Sequence, residues 1–343
     1  MKNIRFFFIT FLLLQIGFSQ TNSNQLIQQG IKYHDEGEYE LAIQKYEQAL
    51  NINKYNPTAH YEMALTYFEM KDYDKAIEHT DIVLKSDATD NHLSSYVIKG
   101  SSLDMLGKTK KSIKVFEKGI EETGGNYLLY FNLAIDYYKL SETEKAEENF
   151  INAINSNSFH GSSHYLLGII NENNGKKVPA LLAYYYFLML EPDSQRSQNA
   201  YKSLMRMLEG NVSKKDDNNI NINLFLGDDK DDVNSFSAAE MTLSLSVAAN
   251  YTEEYEDLSD IEKFQKNTDT FFSVLSELRK DENSGVYWNY YVPFFKKLKD
   301  SEHFEFFCHF ISYTKNDEEK EWFTNHQEEF NAFMEWLKSQ KKE

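Results

Sequence analysis

The chain has a single cysteine and only four prolines among its 343 residues. One cysteine excludes an internal disulfide, so the fold must be held together by side-chain packing. The few prolines and 14 glycines exclude a collagen-like or linker-rich chain, and a hydrophobic fraction of 41% argues against disorder. Basic residues are also scarce, with 36 against 54 acidic ones and a net charge of −18. We therefore expect no nucleic-acid partner, because nucleic-acid-binding proteins present a basic surface.

An apolar run at residues 6–17 follows two basic residues near the N-terminus. The run is too short to span a bilayer as a stable helix, and the small residues that end at Ser19 match a signal-peptide cleavage pattern. We predict that residues 1–19 are a signal peptide. The alternative is an N-terminal membrane anchor, but the run lacks the length and the second charged flank of an anchor. A lipid anchor would need a cysteine directly after the run, and the only cysteine is Cys308. We therefore expect no stable membrane anchor.

The overall composition is rich in Asn, Lys, Tyr and Phe. Together with the Phe18-Ser19-Gln20 sequence, this composition resembles that of exported proteins of Flavobacteria and other Bacteroidota. The resemblance implies that the protein is periplasmic or secreted after cleavage near Ser19.

Small residues recur along the N-terminal half of the chain at intervals of 34 to 36 residues. A small residue lets two helix backbones approach, and a large residue about one turn away fills the adjacent groove. Three parallel series at one period therefore predict stacked pairs of antiparallel helices. The first series is Gly30, Ala64, Gly100, Ala134 and Gly168; the second is Ala42, Ala76, Ser112, Ala146 and Ala180; a mostly large third series, four residues further on, is Tyr46, Thr80, Phe116, Phe150 and Tyr184.

The spacing Leu26-x2-Gln29-Gly30-x2-Tyr33, followed by Ala42-x3-Tyr46, resembles the tetratricopeptide repeat family. The resemblance implies an all-α fold, a right-handed superhelical solenoid of helix hairpins. A terminal repeat exposes an apolar face, so a capping helix is expected after the last one. The predicted units are 23–56, 57–92, 93–126, 127–160 and 161–194, with the capping helix at 195–209.

The resemblance also implies where a partner binds. In this family the first helix of each pair lines a concave groove, and aromatic side chains there would bind a peptide or a helix of another protein. The alternative for each such residue is packing against a neighbouring repeat. The predicted groove residues are Tyr61, Phe68, Phe131, Asn132, Tyr138, Lys139 and Tyr165.

One specialisation of the family, a clamp for chaperone C-termini, needs Lys, Arg and Asn side chains on the first helices. The matching positions here offer one weak donor, Ser94, so binding of a chaperone tail is not predicted. Those positions hold Ile27, Ile31, Glu62, Ser94 and Ile98.

The C-terminal part differs in composition, because residues 211–343 hold 28 acidic and 15 basic residues. A polar stretch at 210–219 predicts a linker, and residues 220–343 predict a mostly helical acidic domain. Alternating apolar residues at 220–226 predict one short strand. Aromatic stripes at helical spacing then predict helices at about 235–250, 258–280, 286–299, 302–313 and 325–339.

No catalytic residues are predicted. Cys308 and His309 are consecutive, so on a helix they point about 100° apart and cannot act together. The acidic run near residue 230 weakly resembles a calcium loop, with Asp229, Asp231 and Glu240 as candidate ligands, but the remaining loop positions do not fit. We find no other metal site and no cofactor motif.

These features favour a periplasmic scaffold or adaptor that binds a peptide or helix of another envelope protein in its groove. The protein is then not an enzyme. The alternative is an enzyme or an accessory factor whose activity lies in the C-terminal domain.

The signal-peptide hypothesis predicts the first residue of the exported protein. N-terminal sequencing of protein from the soluble periplasmic fraction should begin at Gln20. Recovery of a chain that starts at Met1 from the membrane fraction would contradict this hypothesis.

Overall fold

A computed structural model describes residues 22–210, 212–216, 219–223, 233–313 and 317–340. The chain divides into two compact units, the first ending at Ser156 and the second starting at Asn157. Within these described ranges, no helix combines the length and hydropathy needed to cross a membrane. The predicted signal peptide, residues 1–19, lies outside them.

The first unit consists of helices joined in antiparallel pairs. A first helix, α1, covers the described residues 22–35. It is followed by α2 (Tyr39–Ile52), α3 (Pro57–Glu69), α4 (Tyr73–Val83), α5 (His92–Met105), α6 (Thr109–Thr123), α7 (Tyr127–Lys139) and α8 (Thr143–Ser156). Local signals set the helix starts: Asn56 accepts a hydrogen bond from the Ala59 N–H, with Pro57 in the first turn, and Asn126 accepts one from Leu128.

Each pair closes where the sequence predicts a close approach. A Cβ atom placed on Gly30 would lie 2.3 Å from the ring of Tyr46, and one on Gly100 would lie 2.3 Å from the ring of Phe116. Both rings are almost fully buried. The glycine is therefore required because the ring of the second helix occupies the space of its side chain, so the predicted pairing of small and large residues is confirmed here.

The turn inside each pair has one residue in the left-handed backbone region, seven positions after the small residue of the first helix. Glycine adopts this conformation without a steric penalty, whereas a residue with a Cβ is strained in it. The second and fourth repeats place Lys71 and Ser141 there, so those two turns are strained where the others are not. The φ values are 78° at Gly37, 62° at Lys71, 70° at Gly107, 60° at Ser141 and 72° at Gly175.

The second unit begins with the last predicted repeat and continues to the C-terminus. It contains α9 (Gly161–Asn173), α10 (Lys177–Leu190), α11 (Gln195–Glu209), β1 (Val212–Asp216), β2 (Asn219–Ile222), α12 (Ser237–Ala249) and α13 (Asp260–Leu278). After a π-helical segment at Tyr287–Tyr291 it ends with α14 (Val292–Lys299), α15 (Phe304–Ile311), α16 (Asp317–Asn325) and α17 (Gln327–Ser339).

Helix α10 is the centre of the second unit, because every residue from Val178 to Met189 is buried. The ring of Tyr185 lies within 6.3 Å of five phenylalanine rings from α13, α14 and α15. This packing explains why the division between the compact units falls at Ser156 and not at the predicted linker over 210–219. The fifth repeat cannot be separated from the C-terminal helices that cover its second helix.

Two further details differ from the sequence prediction. The predicted linker contains strand β1, which pairs antiparallel with β2, so that Val212 lies opposite Ile222. The pairing satisfies backbone groups that a polar linker would leave to water. Helix α16 was not predicted, because its first five residues are all charged and it forms no long apolar stripe. Its Trp322 and Phe323 rings pack against Phe306.

The close approach of paired helices predicts a large effect from one methyl group. Gly100→Ala should lower the free energy of unfolding by about 1–3 kcal/mol, because the buried Phe116 ring has no room to move. Gly161→Ala is the matched control, since the nearest atom to its new Cβ would be 3.7 Å away. Thermal melting followed by circular dichroism measures both, and equal melting temperatures would show that the helices can separate without cost.

Candidate functional site

The predicted groove residues occupy two repeating positions on the first helices. Tyr61, Phe131 and Tyr165 lie three residues before the small residue of their repeat, and Phe68 and Tyr138 lie four residues after it. Residues three and four apart in a helix share one side, so each helix shows a single stripe. The first-helix face, as defined here, consists of the six predicted residues in the first unit: Tyr61, Phe68, Phe131, Asn132, Tyr138 and Lys139.

Several residues of this face also pack within their own repeats. Tyr61 and Phe68 are half-buried against the core of the first two repeats, and the Phe68 ring stands edge-on to Tyr73 at 5.6 Å. The Phe131 ring stands edge-on to Phe150 of α8 at 5.8 Å. Residues three positions before the small residue therefore pack partly inside their own helix pair and lie partly on the first-helix face. Tyr138, four positions after the small residue, is more exposed, at 38%.

The polar members of the face are already engaged in the first unit. The side-chain amide of Asn132 donates to the carbonyl of Leu128 at 2.7 Å, one turn earlier in the same helix. The Lys139 ammonium group forms an ion pair with Asp104 of α5. Asn132 therefore mainly serves its own helix, whereas Lys139 links two consecutive repeats.

Tyr165 lies in the second unit and is described there by itself. Its ring packs against Phe187 of α10 with 4.8 Å between centroids, and the guanidinium of Arg196 lies 5.6 Å from it. This residue therefore supports the fifth helix pair as Phe131 supports the fourth.

Lys139 belongs to a carboxylate cluster that the sequence analysis missed. Asp136 of α7 is 1% exposed, and within the described part of the chain one of its carboxylate oxygens has no hydrogen-bond partner. Burial, together with the nearby charge of Asp104, raises the pKa of Asp136 to about 7 against the opposing effect of Lys139. Asp104, the second carboxylate of the cluster, accepts a hydrogen bond from the Thr109 hydroxyl at 3.1 Å. One cation thus lies against two neighbouring carboxyl groups.

The register of the repeats explains this cluster. Two residues after the small residue, consecutive first helices bury a polar side chain: Thr66, Ser102 and Asp136. Each of these side chains can be reached from the preceding repeat, by the residue four positions after the small residue of that repeat. His34 of the first repeat contacts Thr66 of the second in this way, with 2.8 Å between Nδ1 and Oγ1. Asp104 occupies the same position in the third repeat as His34 does in the first, and Asp136 of the fourth repeat corresponds to Thr66 of the second. Comparing these positions across repeats is the signal that could have revealed the cluster.

In the second unit, polar groups are used to join the repeat to the C-terminal helices. His164 Nε2 donates to the Ser158 carbonyl at 2.9 Å, so its Nδ1 accepts from the Tyr291 hydroxyl at 2.6 Å. Complete burial lowers the pKa of His164 to about 3. The Tyr186 and Tyr290 hydroxyls are 2.5 Å apart. These groups are buried and partnered, as structural polar groups are.

The residues weighed for chemistry also have structural surroundings. Cys308 is fully buried, and burial raises the pKa of its thiol well above the usual range, which keeps it in the unreactive thiol form. Of the calcium candidates, Asp229 and Asp231 lie outside the described residues. Glu240 accepts a hydrogen bond from the Val178 N–H and faces Lys177, at the start of α10. In the part of the chain described, no three His, Cys, Asp or Glu side chains are grouped as a metal site would require.

Comparison with known proteins identifies the repeats. A TPR repeat model matches residues 30–71, and two tetratricopeptide repeat models match residues 58–89 and 131–191. The chain contains tetratricopeptide repeats. It is 25% identical over 218 residues to a TPR repeat-containing protein of Methanocaldococcus jannaschii, covering 55% of this chain and 37% of that protein. It is 23% identical over 148 residues to a BBSome complex member of Bos taurus, covering 43% and 28%. The chain therefore spans well under half the length of these curated relatives.

The chain is also similar to several solved structures. MamA from Desulfovibrio magneticus RS-1 is 21% identical, with a TM-score of 0.44, and the match covers 50% of this chain and 95% of that one. PilF of Pseudomonas aeruginosa is 16% identical, with a TM-score of 0.48, and the match covers 55% and 90%. YrrB, described as a TPR protein with an unusual peptide-binding site, is 17% identical, with a TM-score of 0.43, and the match covers 55% and 97%.

The carboxylate cluster predicts a pH-dependent effect of Asp136→Asn. The pKa of Asp136 is about 7 in the folded state against 3.8 for an ordinary aspartate. Between these values the folded state binds the extra proton, so wild-type stability falls as pH rises through this window. The variant lacks this loss, so its melting temperature should exceed that of the wild type by about 2–4 °C or more at pH 8.

The size of the difference should grow from pH 4 to pH 7 and then level off. Thermal melts across this range measure it. A constant difference at every pH would show that the charge of Asp136 is not its cause.

Proposed function

We propose that this protein is an exported, periplasmic adaptor that binds a peptide segment or a helix of another envelope protein on its first-helix face. The proposal describes a binding protein and not an enzyme. It is supported by the tetratricopeptide repeats and by the signal-peptide pattern before Gln20. The partner is a protein, and neither a nucleic acid nor a stable membrane anchor is part of the proposal.

The observation that carries the proposal is the half-exposed aromatic stripe of the first-helix face. Tyr138 is 38% exposed, and Tyr61, Phe68 and Phe131 are half-buried, so each ring keeps part of its surface open to a partner. Aromatic residues supply a large share of binding energy at protein interfaces. Because their inner edges are held by the repeat, these rings are rigid before a partner arrives, which lowers the entropic cost of binding.

Site-specific photocrosslinking tests this assignment in the full chain. A photoreactive phenylalanine derivative at Tyr138 should capture the envelope partner in living cells, because the residue lies on the proposed binding face. The same derivative at Tyr55, which is 71% exposed in the loop between α2 and α3, is the matched control and should capture it at least about tenfold less. Equal capture at both positions, or capture from neither, would contradict the proposed face.

The test keeps residues 212–340 in place for a structural reason. Removing the C-terminal helices would expose Tyr185 and Tyr186 of α10, which are buried among their rings. A truncated chain would therefore lose the second unit for reasons unrelated to binding.

A further inference from the structure

The second unit has a cavity of about 310 Å³ beside the end of α10. Its walls come from the turn that follows α10 and from α15, α16 and α17, and it is partly open to solvent. Small-molecule sites have volumes of roughly 300–1,000 Å³, so this cavity is at the lower end of their range. It therefore has the size of a site for a small free molecule.

Four aromatic rings line the cavity and are called the aromatic cage below. Phe323 of α16 is at the centre of the group, with its ring centroid 5.7 Å from that of Phe310. The Tyr313 and Phe330 rings are each 5.3 Å from it, and their planes are inclined to it by 75° and 71°. Rings at such angles form walls that face in different directions, whereas parallel rings would form a flat stack. The face of an aromatic ring carries partial negative charge, so a cage of rings favours a cation.

One negative charge lies at the mouth of the cavity. Among the described residues that line it, only Asp193 is charged, and this residue is exposed in the turn after α10. Its carboxylate forms no ion pair within the described part of the chain, whereas Glu191, two residues earlier, is paired with Arg196. The Asp193 carboxylate is therefore available to a ligand. Beside the ring faces, it attracts a cation and repels an anion.

The rest of the lining determines which kind of cation fits. A primary ammonium group has three N–H donors, but the lining side chains offer it only the Asp193 carboxylate and the Tyr313 hydroxyl. Donors left without acceptors are costly. An ammonium group with methyl groups in place of its hydrogens has no such donors, and its methyl groups can pack against the rings and the apolar part of the wall. The apolar part consists of Met189, Leu190, Pro192 and Met334.

We infer that the aromatic cage and Asp193 bind a small, free quaternary ammonium compound such as choline. Its trimethylammonium group lies among the rings, and the carboxylate balances its charge. Residues 211–343 hold 28 acidic and 15 basic residues, so a cationic ligand is also attracted at longer range. The inference concerns the second unit alone and does not rest on the adaptor proposal, which concerns the first-helix face of the first unit.

Two ligands that differ only in charge test the inference on the full chain. Choline is compared by isothermal titration calorimetry with its neutral isostere, the alcohol in which a carbon atom replaces the ammonium nitrogen. Choline should bind at least about tenfold more tightly, because only the cation is attracted by the ring faces and the carboxylate. Equal affinities would show a merely apolar cavity and would overturn the inference. Failure of both ligands to bind at millimolar concentration would overturn it as well.

A charge variant of the protein identifies the site. Asp193→Asn should weaken choline binding about fivefold or more and should change the affinity for the alcohol less than about twofold. Asp257→Asn is the matched control, since Asp257 is an exposed acidic residue of the same unit that does not line the cavity. Equal losses in the two variants would show that the overall charge of the unit attracts choline, against a specific role of Asp193.

A ring variant tests the aromatic cage itself. Tyr313→Leu removes one ring and keeps an apolar side chain, so it should weaken choline about fivefold or more and the neutral alcohol less. Tyr251→Leu, at a tyrosine that is 41% exposed outside the cavity, is the control. The melting temperature of each variant separates lost binding from lost folding. Unchanged choline affinity in a folded Tyr313→Leu protein would refute the cage.

Phosphatidylcholine vesicles distinguish a free ligand from a lipid headgroup with the same trimethylammonium group. Such vesicles should not retain the protein, because the lipid phosphate would lie close to the Asp193 carboxylate. Retention on the vesicles without binding of free choline would overturn the assignment of a free ligand. None of these outcomes affects the photocrosslinking expected at Tyr138, so the failure of one proposal is distinguishable from the failure of the other.

Discussion

The close contact between a small residue on the first helix of each pair and a ring on the second is the constraint on which the repeats depend. Gly100 and Phe116 illustrate it, because the ring occupies the volume that a side chain at residue 100 would need. In the second repeat the small residue is Ala64, the position of the ring is taken by the smaller Thr80, and both residues are fully buried. Once the pair is closed, its helix faces have fixed directions. The aromatic stripe and the carboxylate pairs follow from those directions.

Helix α10 differs from the second helices of the other repeats, because it is buried on all sides. A second helix of a repeat normally needs one buried side, but this one buries all residues from Val178 to Met189. The tyrosines make this possible, because their hydroxyls have hydrogen-bond partners. The C-terminal segment supplies Thr268 for Tyr185 at 2.9 Å and Tyr290 for Tyr186, and Tyr184 donates to Glu172 of α9. A phenylalanine would fill the same volume without fixing the orientation of the neighbouring helix. The polar contacts therefore specify one packing arrangement among several that hydrophobicity alone would allow.

The first helices of the repeats carry residues that stabilise the fold beside residues that destabilise it. Tyr61, Phe68 and Phe131 bury their inner edges and support the repeats, whereas the carboxyl groups of Glu62 and Asp136 have pKa values raised to about 7 by burial. A group of this kind costs stability at neutral pH, because the unfolded chain ionises more readily. Proteins retain such costs where binding or catalysis requires the strained group. Lys139 forms an ion pair with Asp104, yet the pKa of the neighbouring Asp136 stays raised to about 7.

The sequence by itself determined the elements that depend on local periodicity, and the tertiary structure decided everything that depends on contact between distant segments. The period of 34 to 36 residues predicts the helix pairs, and the aromatic stripe over 258–280 predicts α13 at Asp260–Leu278, because side chains three and four apart share one side of a helix. Helix α16 could not be predicted, since its Trp322 and Phe323 acquire a buried side only when α15 is beside them. The partners of Asp104 and Glu62 lie 32 and 27 residues away in the chain, at Asp136 and Asp35. No local pattern connects such residues, and only the stacking of consecutive repeats brings their charges together.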